Sequence, residues 1–184
     1  MHMSLDGFVE GAGSDMTWFD PHDQEQWDDL FDMLEDVDLF LLGSGMWTGY
    51  RNYWKAALKD EGFSDNEIRY AKLAEVTKHV VFSKTMKDAQ WENTEINSGD
   101  LVHEVKRIKG EPGENIHLVG GAKFASSFIK EDLVDEYRLL INPVILSRGK
   151  SFFDDLQNKH ALDLTEVKKL NNGVLVVNYR KSYH

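Results

Sequence analysis

Twice in this chain of 184 residues, a short apolar run ends in a glycine cluster that opens onto a helical pattern. Residues 37–42 lead into Gly43-Ser44-Gly45, and residues 116–119 lead into Gly120-Gly121-Ala122. A strand that turns on glycine into a helix is the repeating unit of α/β sheets, which narrows the fold class at once. Glycine lets backbone approach a phosphate closely, and a helix start offers unpaired N–H groups at the positive end of its dipole. The same glycines would also serve simply to close tight turns. Both readings stand on spacing alone. The first cluster departs from the Rossmann fingerprint, because Thr48 holds the place of its third glycine.

The rest of the chain fills in around these two units. Residues 5–9 read as a strand end running into a loop. Asp20-Pro21 reads as a cap followed by proline at the first helical position, opening a helix over 21–35 with Trp27, Leu30, Phe31 and Leu34 on one face. Residues 46–58 read as a short helix plus loop. Ser64 and Glu67 have capping-box spacing, opening a helix over 64–75. Strands are expected over 79–82, 91–96 and 134–145, the last interrupted at Asn142-Pro143. A helix is expected over 100–109 with Leu101, Val105 and Ile108 on one face, and another over 122–130. Asn171-Asn172-Gly173, between runs 164–170 and 174–180, signals an antiparallel hairpin with positive φ supplied by asparagine and glycine. The sum is one α/β domain over 1–184, with a mixed, mostly parallel sheet flanked by helices and a C-terminal antiparallel hairpin.

Composition removes several functions. A net charge of −11 argues against a nucleic-acid binder, which needs a basic face to displace counterions. With no cysteine, disulfides, thiolate metal sites and thiol nucleophiles are excluded. No apolar run approaches the roughly 20 residues that span a bilayer. No leader pattern opens the chain, so the expected setting is the cytoplasm, without a membrane partner. The seven histidines are scattered, no pair has metal-ligand spacing, and no metal is expected. His22, between Asp20 and Asp23, sits where caps belong. No serine lies in a nucleophile-elbow setting. Ser83-Lys84-Thr85 follows a strand and offers two hydroxyls and an ammonium. Trp47, Tyr50, Tyr53 and Trp54 suit either a pocket for a flat heterocycle or a core.

Several segments together resemble the C-terminal reductase domain of riboflavin-biosynthesis proteins, within the dihydrofolate reductase superfamily. They are Ser4-Leu5-Asp6-Gly7; Leu42-Gly43-Ser44-Gly45; Phe82-Ser83-Lys84-Thr85; Val119-Gly120-Gly121-Ala122; Leu133-Val134-Asp135-Glu136; and Pro143-Val144-Ile145-Leu146 with Gly149. The resemblance covers nearly the whole chain. It implies a dihydrofolate reductase-like fold and an NADPH-dependent reductase acting on a C=N bond of a pterin or ribosylamino-pyrimidine, as a homodimer. It implies cofactor phosphates at Gly43, Ser44, Gly45 and at Gly120, Gly121, Ala122, with Ser83, Lys84 and Thr85 towards the adenosine end. Ser44 stands where the family often carries arginine. Asp23 or Asp6 would bind the heterocycle or relay the proton. A ligand-binding module without turnover is the alternative on the same fold.

Overall fold

The computed structural model describes residues 1–59, 62–154 and 156–182; His184 lies outside them. The described chain forms two compact units, Met1–Asp29 with Ala125–His184, and Leu30–Phe124.

The second unit is built on an all-parallel sheet. Strands β3 (Val37–Gly43), β4 (Lys78–Phe82), β5 (Thr94–Asn97) and β6 (Asn115–Gly120) lie in the order β5-β4-β3-β6. The central β3 is buried from Leu39 through Gly43, as expected of a parallel strand covered on both faces. Helices α2 (Ser44–Ala57), α3 (Asp65–Val76) and α4 (Leu101–Lys109) connect these strands. α3 carries the expected capping box: Glu67 N–H donates to Ser64 Oγ, and the Glu67 carboxylate accepts from Ser64 N–H. Asp100 caps α4 by accepting from His103 N–H. α2 is one helix of 14 residues beginning directly after β3, longer than the expected short helix over 46–58. The core of this unit is aromatic. Trp47 and His79 are fully buried, and Phe40, Tyr50, Tyr70 and Trp91 are buried around them. Trp47 Nε1 donates to Ala89 O at 2.9 Å, and the His79 ring stacks on Trp91 at 5.3 Å.

The first unit holds two sheets. In one, the order is β1 (His2–Ser4), β7 (Glu136–Asn142), β10 (Leu175–Lys181) and β9 (Leu162–Lys169). β1 and β7 pair parallel, and the other pairs are antiparallel. In the other, β2 (Phe8–Gly11) pairs antiparallel with β8 (Gly149–Ser151). The hairpin joining β9 and β10 turns where expected, with positive φ at Gly173 and at neither asparagine. Leu140, Leu170, Val174 and Val176 form an aliphatic core cluster. Helices α1 (Gln24–Leu34) and α5 (Ala122–Lys130) each cross a unit boundary in sequence.

Several local expectations need correcting: β5 begins at Thr94 rather than at 91, and β7 ends at Asn142 without resuming after Pro143. Residues 5–7 are not strand: Gly7 N–H closes a turn onto Ser4 O at 3.0 Å, separating β1 from β2. α1 begins at Gln24, not Pro21. Asp23 is its cap, accepting from Gln26 N–H at 2.9 Å, while Asp20 accepts from His22 N–H in the preceding turn. Among the described residues, no helix is long and apolar enough to cross a membrane.

Candidate functional site

In the second unit, the register pairs Gly43 with Phe82 and Leu42 with Gly120. The turns 43–45, 83–85 and 120–122 therefore leave three adjacent parallel strands, β3, β4 and β6, at one carboxyl edge. Strands in a sheet lie about 4.8 Å apart, so one elongated ligand can span all three turns. That edge is where open α/β sheets receive ligands.

The helices that start at these turns differ from the others. α1, α3 and α4 begin with a side-chain cap from Asp23, Ser64 and Asp100, and each carries an acid in its first turn. α2 and α5 carry none there, and no side chain caps α2. The first-turn N–H groups of α2 thus meet neither a capping oxygen nor a competing carboxylate, the condition that favours an anion.

The two glycines of the first turn have different jobs. A Cβ on Gly43 would stand 2.9 Å from both Cβ and Cγ of Phe124, so this glycine makes room for a ring. A Cβ on Gly45 would meet nothing within 4 Å. The second turn packs on the first, since a Cβ on Gly121 would lie 3.8 Å from Met46 Cβ and Sδ. The Gly120–Gly121 peptide is cis. Sequence reasoning missed Met46, because only the tertiary pairing of β3 with β6 brings it there.

Ser83, Lys84 and Thr85 form a turn of defined chemistry. Ser83 Oγ accepts from Thr85 N–H at 3.3 Å and Met86 N–H at 3.0 Å. Lys84 Nζ donates to Ser98 O at 2.5 Å and Gly99 O at 3.0 Å. These carbonyls fix the ammonium at the sheet edge without neutralising it.

Asp6 and Asp23 belong to the first unit. Asp6 accepts three hydrogen bonds: Ser4 Oγ at 2.7 Å, Leu146 N–H at 3.1 Å and Ser147 N–H at 2.7 Å. Ser4 Oγ in turn accepts from Phe8 N–H at 2.9 Å. The Ser4-Leu5-Asp6-Gly7 segment is therefore a clamp between the first turn and the loop after β7. The Ser4 hydroxyl first, then the two amides, hold the Asp6 carboxyl below its ordinary range, which keeps it ionised and a hydrogen-bond acceptor. Asp23 serves as the α1 cap described above. Of the aromatic group, Trp47 and Tyr50 are core and Tyr53 is 47% exposed. Among the described residues, no three His, Asp or Glu side chains gather in a metal-holding group.

Comparison with known proteins extends this picture. YyaP of Bacillus subtilis (strain 168) is 31% identical over 179 residues, covering 96% of this chain and 90% of its own. A Shewanella sp. PV-4 protein assigned to riboflavin biosynthesis superposes with a TM-score of 0.73 over 99% of this chain and 96% of that one, at 18% identity. A diaminohydroxyphosphoribosylaminopyrimidine deaminase/5-amino-6-(5-phosphoribosylamino)uracil reductase of Thermotoga maritima superposes with a TM-score of 0.68 at 16% identity. That match takes in 98% of this chain and 55% of the longer protein. At such identities the two structures speak for the fold, which is mixed α/β and dihydrofolate reductase-like. The model of the RibD C-terminal domain family matches residues 1–176, and this chain belongs to that family.

Proposed function

We propose that this chain is a reductase that takes hydride from a nicotinamide dinucleotide, with NADPH the expected donor. The acceptor is a C=N bond in a pterin or ribosylamino-pyrimidine, as for a dihydrofolate reductase or a 5-amino-6-(5-phosphoribosylamino)uracil reductase. The observation that carries this reading is the shared carboxyl edge of β4, β3 and β6. There the uncapped start of α2, open space at Gly45 and the ammonium of Lys84 line up. Family membership supports it.

The residues present fit such a group. The Ser44 and Gly45 amides and the turn at Gly120, Gly121 and Ala122 would hold phosphates. Ser83, Lys84 and Thr85 would face the adenosine end. When bound, the dinucleotide supplies the hydride, and the protein supplies orientation and shielding. Asp6, held ionised, accepts hydrogen bonds rather than gives a proton. Asp6 and Asp23 therefore enter as groups that bind ring N–H donors or position a proton-carrying water.

Both carboxylates already have structural work, and this favours a second reading: a dinucleotide-binding module without turnover. Calorimetric titration with NADPH and with NADH tests the shared site. Loss of nicotinamide absorbance with pterins and ribosylamino-pyrimidines then separates enzyme from module. Tighter NADPH than NADH, with the difference removed by Lys84→Ala, would place the 2′-phosphate at Lys84. Absence of binding by either nucleotide would remove both readings. Turnover that survives Asp23→Asn at every pH would leave the role to Asp6 or water.

A further inference from the structure

A lysine ammonium has three donors, and in Lys84 two of them go to Ser98 O and Gly99 O. Both acceptors are uncharged, so the third donor and the full charge are left for an anion. The loop that supplies these carbonyls follows β5, and one residue sets its shape. Asn97, the last of β5, is 7% exposed and ties the Lys84 turn, the loop and α4 together. Its carbonyl accepts from Ser83 N–H at 2.9 Å, which anchors the turn that carries Lys84. Its Oδ1 accepts from Gly99 N–H at 2.8 Å, which bends the loop. Its Nδ2 donates to Glu104 Oε2 at 2.9 Å. Glu104 in turn accepts from Arg107 Nε at 3.0 Å within α4. The loop rests directly on Glu104, since a Cβ on Gly99 would lie 2.5 Å from Glu104 Cγ. Hydrogen bonds from Asn97, His103 and Arg107 hold the Glu104 carboxyl down at about 2, from the ordinary 4.5, so this acceptor stays charged at neutral pH.

We infer that Asn97 and Glu104 are positioning residues that fix the Lys84 ammonium for a 2′-phosphate, and so set the preference for NADPH over NADH. This role rests on the dinucleotide reading proposed above. A lysine on a flexible stem loses rotamer freedom when it meets a phosphate. Here that freedom is given up at folding, so binding of the phosphate does not carry the loss. A preset ammonium adds affinity only where a phosphate meets it, and NADH has a hydroxyl at that place. Lys84 supplies the charge, while Asn97 and Glu104 supply its location. Neither needs to touch the nucleotide. An amide at position 97 suits the task because it accepts from the loop and donates to the carboxylate at once.

Calorimetric titration with NADPH and with NADH reads the ratio of the two affinities. Asn97→Ala removes both side-chain bonds without a change of charge. It is expected to lower the NADPH-to-NADH affinity ratio about tenfold while the NADH affinity holds. A merely structural role would weaken both nucleotides together. A second pair of variants exchanges donor and acceptor. Asn97→Asp alone sets a carboxylate against Glu104, and the ratio is expected to fall to that of Lys84→Ala. With Glu104→Gln added, the new amide donates across the same gap and net charge returns to its starting value, so the ratio is expected to recover. A folded Asn97→Ala variant with the wild-type ratio overturns the assignment. So does a wild-type chain that binds both nucleotides equally, or a double variant no better than Asn97→Asp. Should Asn97→Ala fail to fold, the exchange pair decides. Absence of binding by either nucleotide removes the dinucleotide reading and this role with it, whereas binding with an unmoved ratio removes the role alone.

Discussion

The two units solve the problem of a core with different chemistry. The unit around the parallel sheet buries rings with polar tips: Trp47, bonded to Ala89 O, and His79, 3.3 Å through Nε2 from the Tyr50 hydroxyl, which lies 3.3 Å from that of Tyr70. The other unit gathers Leu140, Leu170, Val174 and Val176, which offer nothing to titrate. Rings fill more volume per residue but bring donors and acceptors that must find partners. An aliphatic cluster needs only shape. The aromatic core is therefore the one that should answer to pH and to loss of a single hydrogen bond.

The largest expected effect comes from emptying each core in turn. Trp47→Ala should cost about 4 kcal/mol and Leu170→Ala about 3 kcal/mol, measured by urea unfolding. If the units melt independently, each variant shifts one transition only; a single common transition would show that the two cores stand or fall together.

Next is acidity. Burial pushes His79 down to about 4 from the ordinary 6.5, and His117 likewise to about 4. With the folded value below the unfolded one, the unfolded chain takes the proton first. Stability is complete above about pH 6.5 and falls as pH drops towards 4, by up to about 3 kcal/mol for His79 alone. His79→Phe should flatten that part of the curve. In the first unit, His2 is pushed down to about 3, so part of the loss will remain. An undiminished slope in the Phe variant would break the contrast between the cores.

Smaller is a pair of glycine substitutions with opposite signs. Gly43→Ala drives a methyl against Phe124 and should destabilise by about 2 kcal/mol. Gly45→Ala meets open space inside a helix and should raise the melting temperature slightly, by about 0.5 kcal/mol of stability. Equal effects would mean the two glycines do not divide packing and ligand space. Between those two in size is Ser64→Ala, which removes half of the α3 capping box and should cost about 1 kcal/mol in thermal melts, confined to the aromatic unit.

Local chemistry is legible in the sequence; long-range chemistry is not. The Ser64/Glu67 box and the hairpin turn at Gly173 each depend on residues within three or four positions, and each appears where the pattern puts it. The two strand-to-glycine-to-helix units are readable for the same reason. The Ser4–Gly7 turn reads locally as strand because what holds it is Leu146 and Ser147, 140 and 141 residues away from Asp6. Asp20 and Asp23 offer the same carboxylate three residues apart, and nothing local decides which one caps α1. That Gly43 must also leave room for Phe124 is not visible in its own neighbourhood of sequence. β8 has no local signature: Gly149 sits so close to β2 that a Cβ there would lie 2.0 Å from Glu10 O, a fit that no window of sequence displays. Of the candidate site, the strand ends are legible, but the partners of Lys84 and the approach of Met46 come only with the sheet order.

The split of the chain has a consequence for birth as well as for shape. The unit spanning Leu30–Phe124 is continuous, whereas the other is assembled from segments on either side of it. Strand β1 pairs with β7, His2 opposite Leu140. A ribosome adding about 5–20 residues per second needs on the order of ten seconds between those two residues. During that interval the aromatic unit can complete itself while the first strand waits with an open edge. The order of synthesis thus favours the parallel sheet as the first structure present, and leaves β1 the segment most in need of protection until its partner emerges.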